Sequence, residues 1–143
     1  MKKSWGLLLK ILSGKKTAES RWFKTKHVPW NQVRVGDTLW FKNTGEPVTI
    51  KARVSRVVQF EGLNTKKINQ ILSQYGKSDL GLSDPTPPEV EAYFENKRYC
   101  ILVFFDSVQA VKPFNITKKG FGAMAAWICV DDIQKIKLPL QTP

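Results

Sequence analysis

The sequence predicts an α+β fold in which a small β-barrel of about six strands carries two or three flanking helices. Three observations predict it. Six short segments alternate apolar and polar residues or are continuously apolar, and turns containing Gly, Pro or Asn separate most of them. Other segments have apolar residues at helical spacing. The length of 143 residues, with 42% hydrophobic residues, suits one domain with one core.

In the first half of the chain, a short helix is predicted at residues 4–13, with Gly14 as its stop. The residues at helical spacing are Trp5, Leu8, Leu9 and Leu12. The predicted strands of this half span residues 16–23, 39–42 and 48–60. In the longest of them the inward-facing pattern changes phase after Val54. This change predicts a bulge or bend, which a small barrel needs in order to close.

The second half begins with a predicted helix at residues 65–75, for which Thr65 is the expected N-cap and Gly76 the stop. The buried stripe of that helix is expected to contain Ile68, Ile71, Leu72 and Tyr75. Two prolines open a further helix predicted at residues 87–96. The remaining predicted strands span residues 99–105, 108–114 and 125–136. The first of these is almost continuously apolar, which is typical of a strand buried on both faces.

Positive charge is concentrated in one part of the chain. Residues 1–77 contain 16 Lys and Arg against 4 Asp and Glu, a net charge of +12, and residues 78–143 contain 7 against 8, a net charge of −1. The two parts add to the total of +11. Such an excess attracts polyanions, of which nucleic acid is the most common in a cell. A solvated, lysine-rich surface that only aids solubility is the alternative interpretation.

Cysteine and histidine are too sparse to indicate a metal site. Cys100 and Cys129 both lie in apolar runs, and His27 is the only histidine. Free, buried thiols in a reducing compartment are therefore expected. No segment reaches the roughly 20 apolar residues of a membrane span. We expect a cytoplasmic protein, most simply a monomer, with no metal, no cofactor and no membrane contact.

The most informative segment is residues 14–21. In an extended chain alternate residues share a face, so Thr17, Glu19 and Arg21 are expected on one side and Lys16 on the other. Glu19 and Arg21, two residues apart, are expected to form an ion pair that leaves guanidinium edges free for a carbonyl or a phosphate. Judged from spacing alone, an ordinary polar edge strand with its charges facing water is the favoured interpretation.

Residues 11–21 resemble the opening signature of the ASCH family, a branch of the PUA-like superfamily in which a helix runs into a Gly-x-Lys-x-x-Glu-x-Arg pattern. Gly14, Lys16, Glu19 and Arg21 occupy those four positions. Later features are similar in order, including the Gly36-Asp37 turn and the long strand that follows it. The similarity spans about residues 5–137, and it implies a single PUA-like domain over residues 1–143.

The resemblance implies a charged cleft that recognises RNA or nucleotides. Some members of the family are enzymes, either ribonucleases or amidohydrolases that act on an acetylated cytidine. The amidohydrolase branch uses a Lys that aligns with Lys16, but Glu19 stands where that branch has a nucleophilic Thr. The predicted helix at residues 65–75 also lacks the Glu that the branch uses. Two of the three catalytic roles are therefore unfilled, which argues against that mechanism.

Late in the chain, Lys118 and Lys119 are candidates for contacting a phosphate, and Phe121 is a candidate for stacking on a base. A mobile, solvated loop explains them as well. Trp127 is expected either in the cleft or in the core. Trp22 and Trp30 flank a basic stretch, and packing against the barrel is the favoured interpretation for both.

The sequence thus predicts an RNA- or nucleotide-binding module with a basic cleft beside residues 14–21. The predicted ligand-binding residues are Lys15, Lys16, Thr17, Glu19, Arg21, Lys118, Lys119 and Trp127. The alternative is a hydrolase, either a ribonuclease or a modified-nucleoside amidohydrolase, in which Lys16 and Glu19 are the catalytic residues. RNA or a nucleotide is the expected partner in both cases.

Overall fold

The computed structural model describes residues 6–76, 79–80, 94–122 and 125–139, which contain four strands and two α-helices. The strands are β1 (Ala18–Phe23), β2 (Thr38–Lys42), β3 (Val48–Phe60) and β4 (Tyr99–Phe114), and the helices are α1 (Leu7–Leu12) and α2 (Thr65–Ile71). A π-helical turn, Leu72–Gly76, extends α2, and a 3-10 turn spans Ile133–Lys135. Within these ranges, no helix is long and apolar enough to cross a membrane.

The four strands form one antiparallel sheet in the order β1-β4-β3-β2. The central strands, β3 with 13 residues and β4 with 16, are much longer than the edge strands. Their pairing changes register at three places, and such bulges bend and twist a strand, so that the sheet curls into a half-barrel. The bulge predicted after Val54 is confirmed: Val54 pairs with Phe105 and Arg56 with Phe104, which leaves Ser55 as an extra residue.

The predicted number of about six strands is not confirmed in the described part of the chain. Residues 99–105 and 108–114 belong to the single strand β4. The apolar pattern is interrupted there by Asp106, which pairs with Arg53, and by Ser107, which lies in a bulge and not in a turn and has a left-handed φ of 53°. Residues 125–136 form no strand and end in the 3-10 turn.

The sheet covers a hydrophobic core on each face, because β4 contributes alternate residues to both. Ile101, Val103 and Phe105 belong to the core inside the half-barrel, whereas Cys100 and Leu102 pack under α2. All of these residues are buried. The prediction of a strand buried on both faces is therefore confirmed.

Helix α1 precedes the strand that carries the candidate site. Ile11 is its buried residue, whereas Leu9 and Leu12 are 73% and 48% exposed, so the predicted leucine spacing does not mark the buried face. Gly14 follows with a φ of 78°, a left-handed conformation that favours glycine, and the chain turns there toward β1. Residues 4 and 5 of the predicted helix lie outside the described residues.

Helix α2 has the predicted buried stripe, with Ile68, Ile71 and Tyr75 buried and Leu72 half-buried, and its π-helical extension ends at Gly76 as predicted. The predicted N-cap is wrong. Asn64, not Thr65, caps the helix, since its side-chain oxygen accepts a hydrogen bond from the Lys67 N–H at 2.9 Å. Residues 87–93 of the predicted later helix lie outside the described residues.

Candidate functional site

Edge strand β1 divides its side chains between the two faces of the sheet. Ala18 and Trp22 pack in the core under α2, and Glu19 and Arg21 line a cavity on the other side. The predicted ion pair is formed: Arg21 Nη1 donates to Glu19 Oε2 at 3.0 Å. Glu19 is only 4% exposed, so this carboxylate requires compensation by nearby cations.

Lys16 supplies the second cation, although alternation along the strand predicted it on the opposite face. Its ammonium lies 3.4 Å from Glu19 Oε1 and donates to the Leu80 carbonyl at 2.9 Å. The alternation rule fails because Lys16 precedes β1 and lies in the connection from α1, where its N–H donates to the Lys10 carbonyl. Burial lowers the pKa of Lys16, and the charge of Glu19 partly offsets that effect.

Thr17 connects the start of β1 to the segment after α2. Its hydroxyl donates to Asp79 Oδ1 at 2.8 Å, and its backbone N–H donates to the Asp79 carbonyl at 2.8 Å. Together with the bond from Lys16 to Leu80, these contacts fix the backbone from which Glu19 projects. Thr17 and Lys16 thus lie behind the carboxylate, and neither lines the cavity.

The cavity has a volume of about 670 Å³ and lies between the two edge strands of the half-barrel, β1 and β2. Residues 125–133, which do not belong to any strand, also line the cavity. A cavity of this size lies in the range of small-molecule sites. Its charged lining residues are Glu19, Arg21, Asp37, Lys42, Lys118, Asp131 and Asp132.

Arg21 and Trp127 form one wall of the cavity. The guanidinium carbon of Arg21 lies 5.0 Å from the centroid of the Trp127 ring, which is a cation–π contact. Arg21 Nη1 already donates to Glu19 and to the Ser20 carbonyl. Within the described residues, Arg21 Nε is buried without a hydrogen-bond partner, whereas Glu19 Oε1 faces the Lys16 ammonium in an ion pair. A hydrogen-bond donor thus remains available beside an aromatic ring.

Lys118 and Lys119, in the loop after β4, lie in different environments. The Lys118 ammonium lines the cavity and donates to the Ala125 carbonyl at 2.8 Å. Lys119 is exposed, and its backbone N–H donates to the Thr117 hydroxyl. Phe121 is 42% exposed and borders a second, adjoining cavity that also contacts Arg21 and Trp127.

Lys42, at the end of β2, lines the cavity but is absent from the residues that the sequence singled out. Burial lowers its pKa, and the charge of Lys118 lowers it further. Only the pairing of distant strands brings these two lysines together. The sequence signal that points to it is the position of Lys42 directly after an apolar strand segment.

Of the predicted ligand-binding residues, the structure brings four together in the cavity: Glu19, Arg21, Lys118 and Trp127. Lys15 and Lys119 are exposed outside its lining, and Lys16 and Thr17 support it from behind. The ligand-binding roles of all eight residues stay predictions. Trp22 and Trp30 are buried, as the packing interpretation predicted.

Both cysteines are free thiols, as predicted, but only Cys100 is buried. Burial raises the pKa of both thiols. Cys129 is half-buried, lines the cavity and forms a hydrogen bond with Trp127. The described residues contain no group of three or more His, Cys, Asp or Glu suited to a metal ion.

A curled antiparallel sheet with two helices and a cavity between its edge strands corresponds to a PUA-like α+β fold. No family model and no curated protein matches the sequence. Among solved structures, a tyrosine-to-phenylalanine variant of the ASCH protein from Zymomonas mobilis superposes with a TM-score of 0.60 at 24% identity. The match covers 89% of this chain and 86% of that one.

A second crystal structure of the Zymomonas mobilis ASCH protein matches with a TM-score of 0.55 at 25% identity, covering 75% of this chain and 65% of that one. A serine-to-alanine variant of it gives the same TM-score over 66% of its length. The chain therefore has an ASCH-like fold.

Proposed function

We propose that this protein is an RNA- or nucleotide-binding module whose ligand enters the cavity between β1 and β2. One observation carries the proposal: Arg21 Nε is buried without a hydrogen-bond partner in the described residues, at a cavity wall that contains the Trp127 ring. Buried polar atoms are normally satisfied, so unsatisfied ones beside a cavity indicate a ligand that completes them.

A nucleobase has the chemistry that this wall requires. Its edge presents donors and acceptors in one plane, and its face stacks on aromatic rings and on guanidinium groups. Glu19 is suited to accept a hydrogen bond from an exocyclic amino group, and Arg21 Nε is suited to donate one to a ring nitrogen or a carbonyl. The ASCH-like fold and the net charge of +12 in residues 1–77 support the same class of ligand.

The first test is fluorescence anisotropy of a labelled single-stranded RNA titrated with the protein at increasing salt. Each phosphate contact made by a cation contributes a slope of about −0.7 to the logarithm of affinity against the logarithm of salt concentration. We expect a slope steeper than about −0.7, because Arg21, Lys42 and Lys118 all line the cavity.

Competition distinguishes the cavity from a generally basic surface. Unlabelled ribonucleoside monophosphates should displace the RNA if its bases enter the cavity, whereas a purely electrostatic surface would yield to heparin and not to a mononucleotide. Absence of RNA binding at low salt, together with absence of nucleotide binding, would exclude this function.

The second candidate is a hydrolase, and the buried pair of Lys16 and Glu19 favours it. An amine whose pKa is lowered by burial beside a carboxylate is typical of catalytic sites. Only Glu19 of this pair lines the cavity, so Lys16 would act as a positioning residue for it. The substrate would be single-stranded RNA or an acylated cytidine.

An activity assay separates the two candidates. Labelled single-stranded RNA and an acylated cytidine are each incubated with pure protein, and products are followed by electrophoresis and chromatography. A hydrolase predicts turnover that Glu19→Gln abolishes at a temperature at which circular dichroism shows that the variant is still folded. Binding of RNA with no turnover of either substrate would reject the hydrolase and leave the binding module.

A further inference from the structure

A row of two lysines and two aromatic rings lies beside the cavity. The Lys51 ammonium lies 5.9 Å from the centroid of the Trp40 ring, and the Lys137 ammonium lies 4.8 Å from that of Phe114. The two rings meet edge to face with their centroids 5.6 Å apart. These four residues, which we call the rim cluster, therefore form one continuous set of contacts with a cation over a ring at each end.

Strand pairing assembles the rim cluster from distant parts of the sequence. The residues on either side of Trp40 belong to the core inside the half-barrel, so alternation along β2 places its ring on the outer face of the sheet. Lys51 is the direct partner of Trp40 across the ladder of β2 and β3. Phe114 ends β4, and Lys137 lies near it because it forms a bridge with Ile116, two residues further along.

Both lysines of the rim cluster lack a counter-charge. Lys51 is half-buried and Lys137 is exposed, and neither forms an ion pair in the part of the chain that the structure describes. By contrast, Lys26 and Lys135 are paired with carboxylates at 3.3 and 2.6 Å. An ammonium group has three donors and no acceptor. Each lysine of the rim cluster is therefore oriented by a ring and keeps N–H groups for an anion.

The other cations on this face of β3 have different surroundings. Arg53, two residues after Lys51, lies directly opposite Asp106 on β4, and the carboxylate offsets its charge. Arg56 lies over the Phe104 ring, which packs against the core under α2, and it does not line the cavity. The rim cluster is thus where cations without an acidic neighbour in the sheet meet the cavity.

The rim cluster continues directly from the cavity wall. Trp40 itself lines the cavity, and so does Ile136, the residue before Lys137. Because the cavity lies between β1 and β2, a nucleotide held at Arg21 on β1 lies across the cavity from Trp40 on β2. Contacts at the rim cluster therefore require a neighbouring nucleotide of the same strand. Cations that follow a backbone, together with a ring on which a base stacks, are typical of sites for single-stranded nucleic acid.

We propose that the rim cluster binds the nucleotide that follows the one in the cavity, with Lys51 and Lys137 on phosphates and a base stacked on Trp40. This inference rests on the proposed function and makes it more specific. The ligand is then a single strand of RNA, and a free mononucleotide fills only the cavity and leaves the rim cluster empty.

Titration of a labelled single-stranded RNA octanucleotide at several salt concentrations tests the inference, with the four ribonucleoside monophosphates as competitors. We expect the octanucleotide to bind at least about tenfold more tightly than the best monophosphate, a gain that stacking of one further base allows. Lys51→Gln and Lys137→Gln should each weaken octanucleotide binding, make the salt slope shallower by about 0.7 and leave monophosphate affinity unchanged. Arg53→Gln removes one charge from the same face and serves as the matched control.

The stacking contact has its own variant. Trp40→Leu keeps an apolar side chain but removes the ring, so it should weaken octanucleotide binding by about fivefold or more. The measurement is made at a temperature at which circular dichroism shows that the variant is folded. Wild-type octanucleotide affinity in Trp40→Leu would overturn the stacking contact.

Failure of the inference and failure of the proposed function give different results. Equal affinity for the octanucleotide and the best monophosphate, or equal losses in Lys51→Gln, Lys137→Gln and Arg53→Gln, would overturn the rim cluster as an RNA site and leave a nucleotide-binding cavity in place. Failure of both the octanucleotide and the monophosphates to bind would overturn the proposed function itself.

Discussion

Glu19→Ala should lower the free energy of unfolding by about 3 to 5 kcal/mol, because it leaves the buried Lys16 ammonium without its counter-charge. Lys16 is 5% exposed, and its remaining polar contact is the Leu80 carbonyl. Chemical denaturation of the two proteins at neutral pH measures the difference. The surface variant Glu61→Ala breaks an exposed pair with Lys26 and should cost at most about 1 kcal/mol.

The deficit of Glu19→Ala should shrink as the pH rises toward 10.5, the ordinary pKa of lysine. Burial lowers the pKa of Lys16 in the folded protein, so between that lowered pKa and 10.5 the unfolded chain binds more protons. Stability therefore rises with pH in this window. Removing Glu19 removes a charge that raises the pKa of Lys16, so this pKa is lower in the variant than in the wild-type protein. The free energy of unfolding of the variant therefore increases more over this pH range than that of the wild-type protein. A deficit that does not change with pH would show that Lys16 is not the buried charge responsible.

Glu19→Gln and a double variant complete this test. Glu19→Gln keeps the shape and one acceptor oxygen, so it isolates the loss of charge. Lys16→Met combined with Glu19→Leu removes both charges and should cost less than the sum of the single changes, because no unpaired ion stays buried. Strict additivity would contradict a coupled pair.

Strand β4 shows what the sequence predicts reliably and what it does not. The apolar run through Ile101 and Val103 indicates burial on both faces, and the structure confirms it. The same pattern fails at Asp106 and Ser107, where a polar interruption resembles a turn. A bulge and a turn share the same local composition, and only pairing with β3 distinguishes them.

The candidate site also contains some features that the sequence predicts and others that it does not. Glu19 and Arg21 lie two apart on one strand, so local geometry suffices to predict their pairing. Lys16 belongs to the preceding connection, whose path depends on the turn at Gly14 and on contacts to residues 79–80. Lys42 lines the same cavity as Lys118 only because of the register in which β2, β3 and β4 pair. Neither the position of Lys16 nor the presence of Lys42 and Lys118 in one cavity can be predicted from a short window of sequence.

Arg21→Gln should weaken RNA or nucleotide binding by about 10- to 100-fold, the range expected for losing a charge-assisted hydrogen bond. The wild-type guanidinium is anchored through Nη1, so its Nε edge is oriented before the ligand arrives. Glutamine supplies neither the charge nor the stacking on Trp127. Glu19 keeps Lys16 as a counter-charge in this variant, and we expect the fold to persist, which a thermal melt verifies.

Two matched variants decide whether geometry or charge is responsible for the loss of RNA or nucleotide affinity in Arg21→Gln. Arg53→Gln removes the same charge from an exposed position on β3 outside the cavity lining, and it should change affinity only slightly. Arg21→Lys keeps the charge but loses the planar fork that meets a base edge and lies over the indole, so it should bind nearly as weakly as Arg21→Gln. Wild-type affinity in Arg21→Lys would show that the cavity attracts its ligand by charge alone. Equal losses in Arg21→Gln and Arg53→Gln would move binding from the cavity to the general basic surface.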